Sequence, residues 1–190
     1  MRTKVLVLFC SMLLSVTAMA QKHLTFKGVP ITGSMTTFCQ QLKSKGFRQI
    51  DSEKNVTLFN GLFTGREANV EVGATADGQN VHSVVVFFEP SEEWRTLVDS
   101  YNYYKEIYTR KYGKPANSVE KNPSRSDENI FLMTKLNQGT VTWASEWEVE
   151  GGTMELSIEK GSELISGVLI IRYHDTQNIE AKIAQDMEDI

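Results

Sequence analysis

A single stretch, Ser91 to Pro115, constrains the fold more than any other part of this 190-residue chain. Trp94, Leu97, Val98, Tyr101, Tyr104, Tyr108 and Tyr112 recur three or four residues apart, which places them on one stripe of an α-helix. Ser91 is suited to accept from an unpaired first-turn amide, and Glu92 and Glu93 lie where the helix dipole favours negative charge. Arg110, Lys111 and Lys114 gather at the other end. Gly113 can take the left-handed conformation that closes a helix, and Pro115 cannot continue one. A helix with so wide an aromatic stripe must bury it, and the neighbouring strand patterns predict that it lies on a sheet.

Those patterns begin early. His23 to Gly28 reads as a short strand running into turn residues, and Ser34 caps a first helix with Met35, Phe38, Cys39 and Leu42 as its apolar stripe. Gly46 stops that helix in the manner of a Schellman turn. Cys39 is read as a small buried hydrophobe, since no base or cationic group adjoins it. Strands are expected over Val56–Thr64, Ala68–Thr75 and His82–Glu89, with a turn at Asp77-Gly78. Val84 to Phe88 is apolar at every position, so this strand is central and covered on both faces, or one of its faces is a binding surface. After the long helix, Asn117 to Asn129 reads as a polar loop. Strands are then expected over Ile130–Leu136, Thr140–Glu150, Thr153–Lys160 and Ser166–Tyr173, and a last helix starting near Asn178, with Asn178 as its cap, aligns Ile179, Ile183, Met187 and Ile190 on one side.

The two halves share an order of helix, glycine stop and strands. Val70-Glu71-Val72 corresponds to Met154-Glu155-Leu156, and Val84 to Phe87 corresponds to Val168 to Ile171 at the same spacing. The expected fold class is α+β: two helix-then-antiparallel-strands units forming a sheet with long helices on one face, plus a C-terminal helix. The expected segments are a signal peptide at 1–20, a first unit at 21–90, a second at 91–177 and the C-terminal helix at 178–190.

Arg2 and Lys4, the apolar run Val5 to Val16 and the small-x-small end Ala18-Met19-Ala20 have the form of a secretory signal cleaved after Ala20. The run is too short to span a bilayer, so no integral membrane span is expected after cleavage, and the localisation is secreted or periplasmic. Cleavage would leave Cys39 as the remaining cysteine of two, so the mature chain cannot form an internal disulfide. The chain carries 20 basic and 24 acidic residues, and losing Arg2 and Lys4 takes its net charge from −4 to about −6. That balance argues against nucleic acid as a partner.

No nucleophile elbow or phosphate loop is present, and His23, His82 and His174 lack metal-ligand spacing. Neither catalytic residues nor a metal or other cofactor is therefore assigned. One polar feature stands out. Glu146, Glu148 and Glu150 alternate along one strand, and a two-residue turn at Gly151-Gly152 would set Glu148 opposite Glu155, Trp147 opposite Leu156 and Val149 opposite Met154. Opposed like charges are mildly destabilising, so Glu146, Glu148 and Glu155 form a candidate binding face for a cationic partner or a divalent ion. Against this stands a solvated sheet face neutralised by a Lys on the next strand.

Several motifs carry a resemblance: Leu24-Thr25-Phe26-Lys27-Gly28-Val29-Pro30-Ile31, Lys45-Gly46-Phe47, Phe59 to Gly65, Trp94 with Lys111-Tyr112-Gly113-Lys114-Pro115, Tyr173-His174-Asp175 and the end Asp189-Ile190. Through these the chain resembles a family of secreted proteins of Bacteroidetes-type bacteria. The resemblance implies a secreted α+β protein, with the tandem-repeat arrangement seen in β-lactamase-inhibitor-like proteins, and implies no activity. The functional expectation is a non-catalytic binding module engaging a protein or cell-envelope component. The alternatives are a carboxylate-based hydrolase or accessory subunit, and an inhibitor of a secreted enzyme.

Overall fold

The computed structural model describes residues 22–121, 131–163, 165–188 and 190. The expected signal segment and most of the expected loop at 122–129 lie outside the described residues.

The chain enters through a two-residue hairpin, β1 (Thr25–Phe26) and β2 (Val29–Pro30), turned by Lys27 and Gly28 at positive φ. Helix α1 (Met35–Ser44) follows, capped by Ser34, whose hydroxyl accepts from the Thr37 amide. Its end is the expected Schellman turn: the Phe47 amide donates to Leu42 O and the Gly46 amide to Lys43 O, with Gly46 at φ +92. Four strands come next, β3 (Arg48–Glu53), β4 (Val56–Phe63), β5 (Arg66–Ala74) and β6 (Val81–Phe87). Beyond α2 (Trp94–Tyr112) lie β7 (Asn117–Lys121), α3 (Leu132–Asn137), β8 (Thr142–Val149), β9 (Gly152–Lys160), β10 (Gly167–Asp175) and α4 (Thr176–Met187).

The mixed α+β class holds. Among the described residues, strands β3 to β10 form one eight-stranded sheet in the order β3-β4-β5-β6-β10-β9-β8-β7, and every neighbouring pair is antiparallel. Strand β6 is therefore central, paired with β5 on one side and β10 on the other.

Helix α2 lies over β8, β9 and β10 with its stripe inward, and Trp94, Leu97, Tyr101, Tyr104 and Tyr108 are buried. Burying aromatic rings removes much apolar area from water, but each hydroxyl then needs a partner. Tyr108 pairs with Tyr173 at 2.7 Å, Tyr101 with Ser145 at 2.7 Å and Tyr104 with Thr64 at 2.6 Å. The Trp147 indole donates to Gly113 O at 3.0 Å. Trp143 and Trp147 share this face, Trp143 meeting Trp94 edge-on and Trp147 packing on Tyr108.

Several expectations are overturned. Ser91 does not open α2; its backbone bridges Gly167 with paired bonds of 2.8 and 2.9 Å, and the helix starts three residues later. The predicted strand over Ile130–Leu136 is helix α3 across its described part, burying Leu132, Met133 and Leu136 with the spacing of a helical turn. The expected loop from Asn117 begins instead as edge strand β7, and the unforeseen β3 forms the other edge. The cap of α4 is Asp175, not Asn178. Asn178 is buried, and its amide donates to Ile31 O and Val81 O at 2.9 Å. The aligned Ile183, Met187 and Ile190 point away from the body and are exposed. The spacing shared by the halves also slips at the central strands, because Val84 is buried while Val168 is half-buried on the other face. No helix among the described residues is long and apolar enough to cross a membrane.

Candidate functional site on the uncovered sheet face

Alternation along the strands sends one set of side chains to the helices and the other to the opposite face. Much of the second set stays accessible, although Ser83 and Ser157 are buried. Leu58, Val85, Phe87, Val168 and Ile170 are half-buried there, and Leu62 is 55 % exposed. A shallow groove of about 360 Å³ lies beside Phe87, Val168 and Ile170, and a second of about 390 Å³ lies between Asp51, Leu58, Glu71 and Phe87.

The acidic residues Glu146, Glu148 and Glu155 all lie on this face, but their pairing differs from expectation by two residues. Glu146 stands opposite Glu155, Glu148 opposite Thr153, Trp147 opposite Met154 and Val149 opposite Gly152. The turn residues are Glu150 and Gly151, with Gly151 at φ +87, and Gly152 already belongs to β9. Both glycines lie against backbone, a Cβ on Gly151 falling 2.5 Å from Lys22 O. Gly151 in addition supplies the left-handed turn, and Gly152 lies so close to β10 that a Cβ there would sit 2.0 Å from His174 O. A slip of two residues preserves the face of every side chain, so the acidic surface survives the error.

Continuing each pairing across the sheet resolves this face into rows. One row runs from Asp51 on β3 through Leu58, Glu71, Val85, Arg172 and Glu155 to Glu146 on β8. The next row, two residues along the central strands, runs from Arg48 through Asn60, Asn69, Phe87, Ile170, Ser157 and Ala144 to Val119. An acidic row thus lies beside one that is apolar at Phe87, Ile170, Ala144 and Val119 and has its one charge, Arg48, at the β3 edge. The neutralising cation on the neighbouring strand is Arg172 rather than a Lys. Its guanidinium grips both oxygens of Glu159, with Nη2 to Oε2 at 3.0 Å, and lies 3.8 Å from Glu155. Hydrogen bonding by Arg172 holds the Glu159 carboxyl below its ordinary range despite partial burial. Among the described residues, Glu146 has neither a hydrogen bond nor an ion pair from its side chain.

Sequence reasoning found Glu146, Glu148 and Glu155 but missed Asp51, Glu71 and Arg172 as their companions. The alternation Asn69-Val70-Glu71-Val72 did mark Glu71 as facing away from the core. What it lacked was the pairing of β6 with β10, which alone brings Arg172 between Glu71 and Glu155. No group of three or more His, Cys, Asp or Glu among the described residues is placed to hold a metal ion. The carboxylates lie on an open surface rather than in a cleft.

The histidines separate. His23 Nδ1 bonds Asp175 at 3.0 Å. His82 and His174 are drawn into the body at the α4 end of the sheet, and the Nδ1 atom of each is buried without a partner. Burial pushes both imidazoles below the ordinary value of 6.5; Lys182 and His174 add to this at His82, a hydrogen bond with the Ala74 backbone and the charge of Asp186 oppose it there, and Arg172 adds to it at His174. A histidine held neutral by the fold contributes stability above the unfolded value that is lost as pH falls through the lower folded value. The urea midpoint is therefore expected to fall as pH drops below 6.5. Glu159, ordinarily at 4.5, makes its contribution vanish only at more acid pH. The double variant His82→Gln, His174→Gln should flatten the upper limb; an unchanged slope would assign it elsewhere.

Comparison of the chain with protein-family models, with curated proteins and with solved structures finds no match.

Proposed function

We propose that this protein is a secreted or periplasmic binding module without catalysis, built from two helix-then-strands units and engaging a protein or cell-envelope component through the uncovered face of its sheet. One observation carries the reading. The two central strands keep Val85, Phe87, Val168 and Ile170 half-accessible on the face away from the helices, where a sheet with no partner would favour polar side chains. The opposite face is covered by α2 with its aromatic stripe over β8, β9 and β10 and by α1 over β5, so the two faces have different tasks. The shared order of helix and strands on either side of the β6–β10 seam supports the two-unit reading, and the segment ahead of Gln21 supports secretion.

The test is capture from the native cell envelope with the mature protein and with a Glu71→Lys, Glu146→Lys variant, each checked for an unchanged thermal midpoint. Loss of specific captured components in the variant is expected. Identical captured sets would remove this face as the binding surface.

A further inference from the structure

We propose that the uncovered face accepts a cationic amphipathic helix of a partner polypeptide, laid across the strands with its Lys or Arg side chains along the Asp51–Glu146 row and its apolar side chains on Phe87 and Ile170. This rests on the binding reading and specifies its ligand chemistry.

Charge complementarity argues for the cations. Within the row, Glu146 and Glu155 are directly opposed, which is mildly destabilising, and Arg172 at 3.8 Å relieves Glu155 but leaves Glu146 without an ion pair. Arg172 is already committed to Glu159, so Asp51, Glu71 and Glu146 remain without a salt-bridge partner among the described residues. Glu53 on β3, Glu67 on β5 and Glu148 on β8 add negative charge to the same face, against Arg48 and Lys121 at the two edge strands. An anionic membrane or a nucleic acid would be repelled here.

The neighbouring row argues for amphipathicity. A polyamine or an oligolysine could neutralise the carboxylates but would leave Phe87 and Ile170 exposed to water. Consecutive strands lie about 4.8 Å apart, and two residues along a strand span about 7 Å. The two rows therefore lie within the roughly 10 Å width of one helix.

Spacing along the row argues for the helix itself. Glu155 and Glu146 are one strand apart, Asp51 and Glu71 two strands apart, which correspond to about 5 and 10 Å. Those intervals match side chains three or four and seven residues apart on a helix rising about 1.5 Å per residue. From Asp51 to Glu146 the row crosses about 29 Å, the length of a helix of about 19 residues.

The experiment titrates the mature protein with a model peptide of about 19 residues, with Lys along one side of a helix and Leu along the other. Controls are a scrambled peptide of the same composition and spermine. Expected results are at least ten-fold tighter binding of the patterned peptide than of either control, and weakening as salt rises. Binding should weaken about ten-fold in Glu71→Gln, Glu146→Gln but remain unchanged in Glu106→Gln on α2. The isosteric exchanges keep the fold testable through an unchanged thermal midpoint. Equal binding of the patterned and scrambled peptides, or indifference to Glu71→Gln, Glu146→Gln, would overturn the proposal. If the peptide fails while charge reversal still abolishes envelope capture, the ligand chemistry is wrong and the face right. If both fail, the binding reading falls with it.

Discussion

Gly152→Ala is expected to destabilise the protein by about 3 kcal/mol or more, lowering the thermal midpoint by roughly 6–12 °C. Gly152 opens β9 between two partners, paired with Val149 of β8 and Asp175 of β10. A Cβ there would lie 2.0 Å from His174 O, 3.0 Å from the carbon of the same carbonyl and 3.2 Å from the Leu24 side chain. The closest atoms are backbone, so no rotamer change relieves the clash. The strands would have to part where Asp175 anchors the N-terminal segment. Gly78→Ala is the control: its φ is +69, but nothing lies within 4 Å of the added carbon, and only the left-handed conformation is penalised, by about 1 kcal/mol. Urea unfolding of the two variants side by side decides the matter. Equal losses would mean that close approach of β10 is not what selects glycine at position 152.

Asp175→Ala should destabilise by a similar amount, about 3 kcal/mol, for a different reason. The Asp175 side chain is fully buried, and its carboxylate accepts from two backbone amides far apart in sequence, Leu24 at 3.0 Å and Asn178 at 3.1 Å, besides meeting His23. Removing the acceptor leaves two buried N–H groups unpaired, and each such group costs about 1–3 kcal/mol. The residue thus caps α4 and at the same time holds the first strand against the end of β10. Asp175→Asn retains an oxygen able to accept one of these bonds and should lose about half as much. Hydrogen exchange provides the local readout: the Leu24 and Asn178 amides should lose protection ahead of those in the centre of β6. Uniform loss of protection across the sheet would show that Asp175 is no local clamp.

The elements predicted correctly share a physical property: their signals lie within one or two turns of chain. The stripe of α2 from Trp94 to Tyr108, the Ser34 cap and the Gly46 stop all act between residues a few positions apart. Failures occurred where local chemistry admitted two answers. Ser91 has the character of a cap but is drawn into a bridge with Gly167 on the other side of the chain. Residues Leu132 to Leu136 form a short apolar run that either a strand or one helical turn could bury, and packing chose the helix. The edge strands Arg48–Glu53 and Asn117–Lys121 are exposed at every position, so they carry no alternation to read and are defined by backbone pairing alone.

The candidate face was half legible for the same reason. Parity along Trp143 to Val149 and Thr153 to Glu159 placed the glutamates together on the side away from the tryptophans, and even a misjudged turn could not move them to the other face. Which carboxylates become neighbours is another matter.

From sequence alone follow the class of the fold, the helix that closes one side of the sheet and the outward direction of Glu146, Glu148 and Glu155, because these depend on periods of 3.6 and 2 along the chain. Only the tertiary structure decides that β6 meets β10. That pairing joins Val85 to Arg172 across 87 positions of sequence, sets Arg172 between Glu71 and Glu155, and lines Phe87 against Ile170. No local propensity encodes a register between strands so distant. It is set when burial of Val84, Val86, Ile171 and Tyr173 against the helices selects the one alignment that satisfies all of them together.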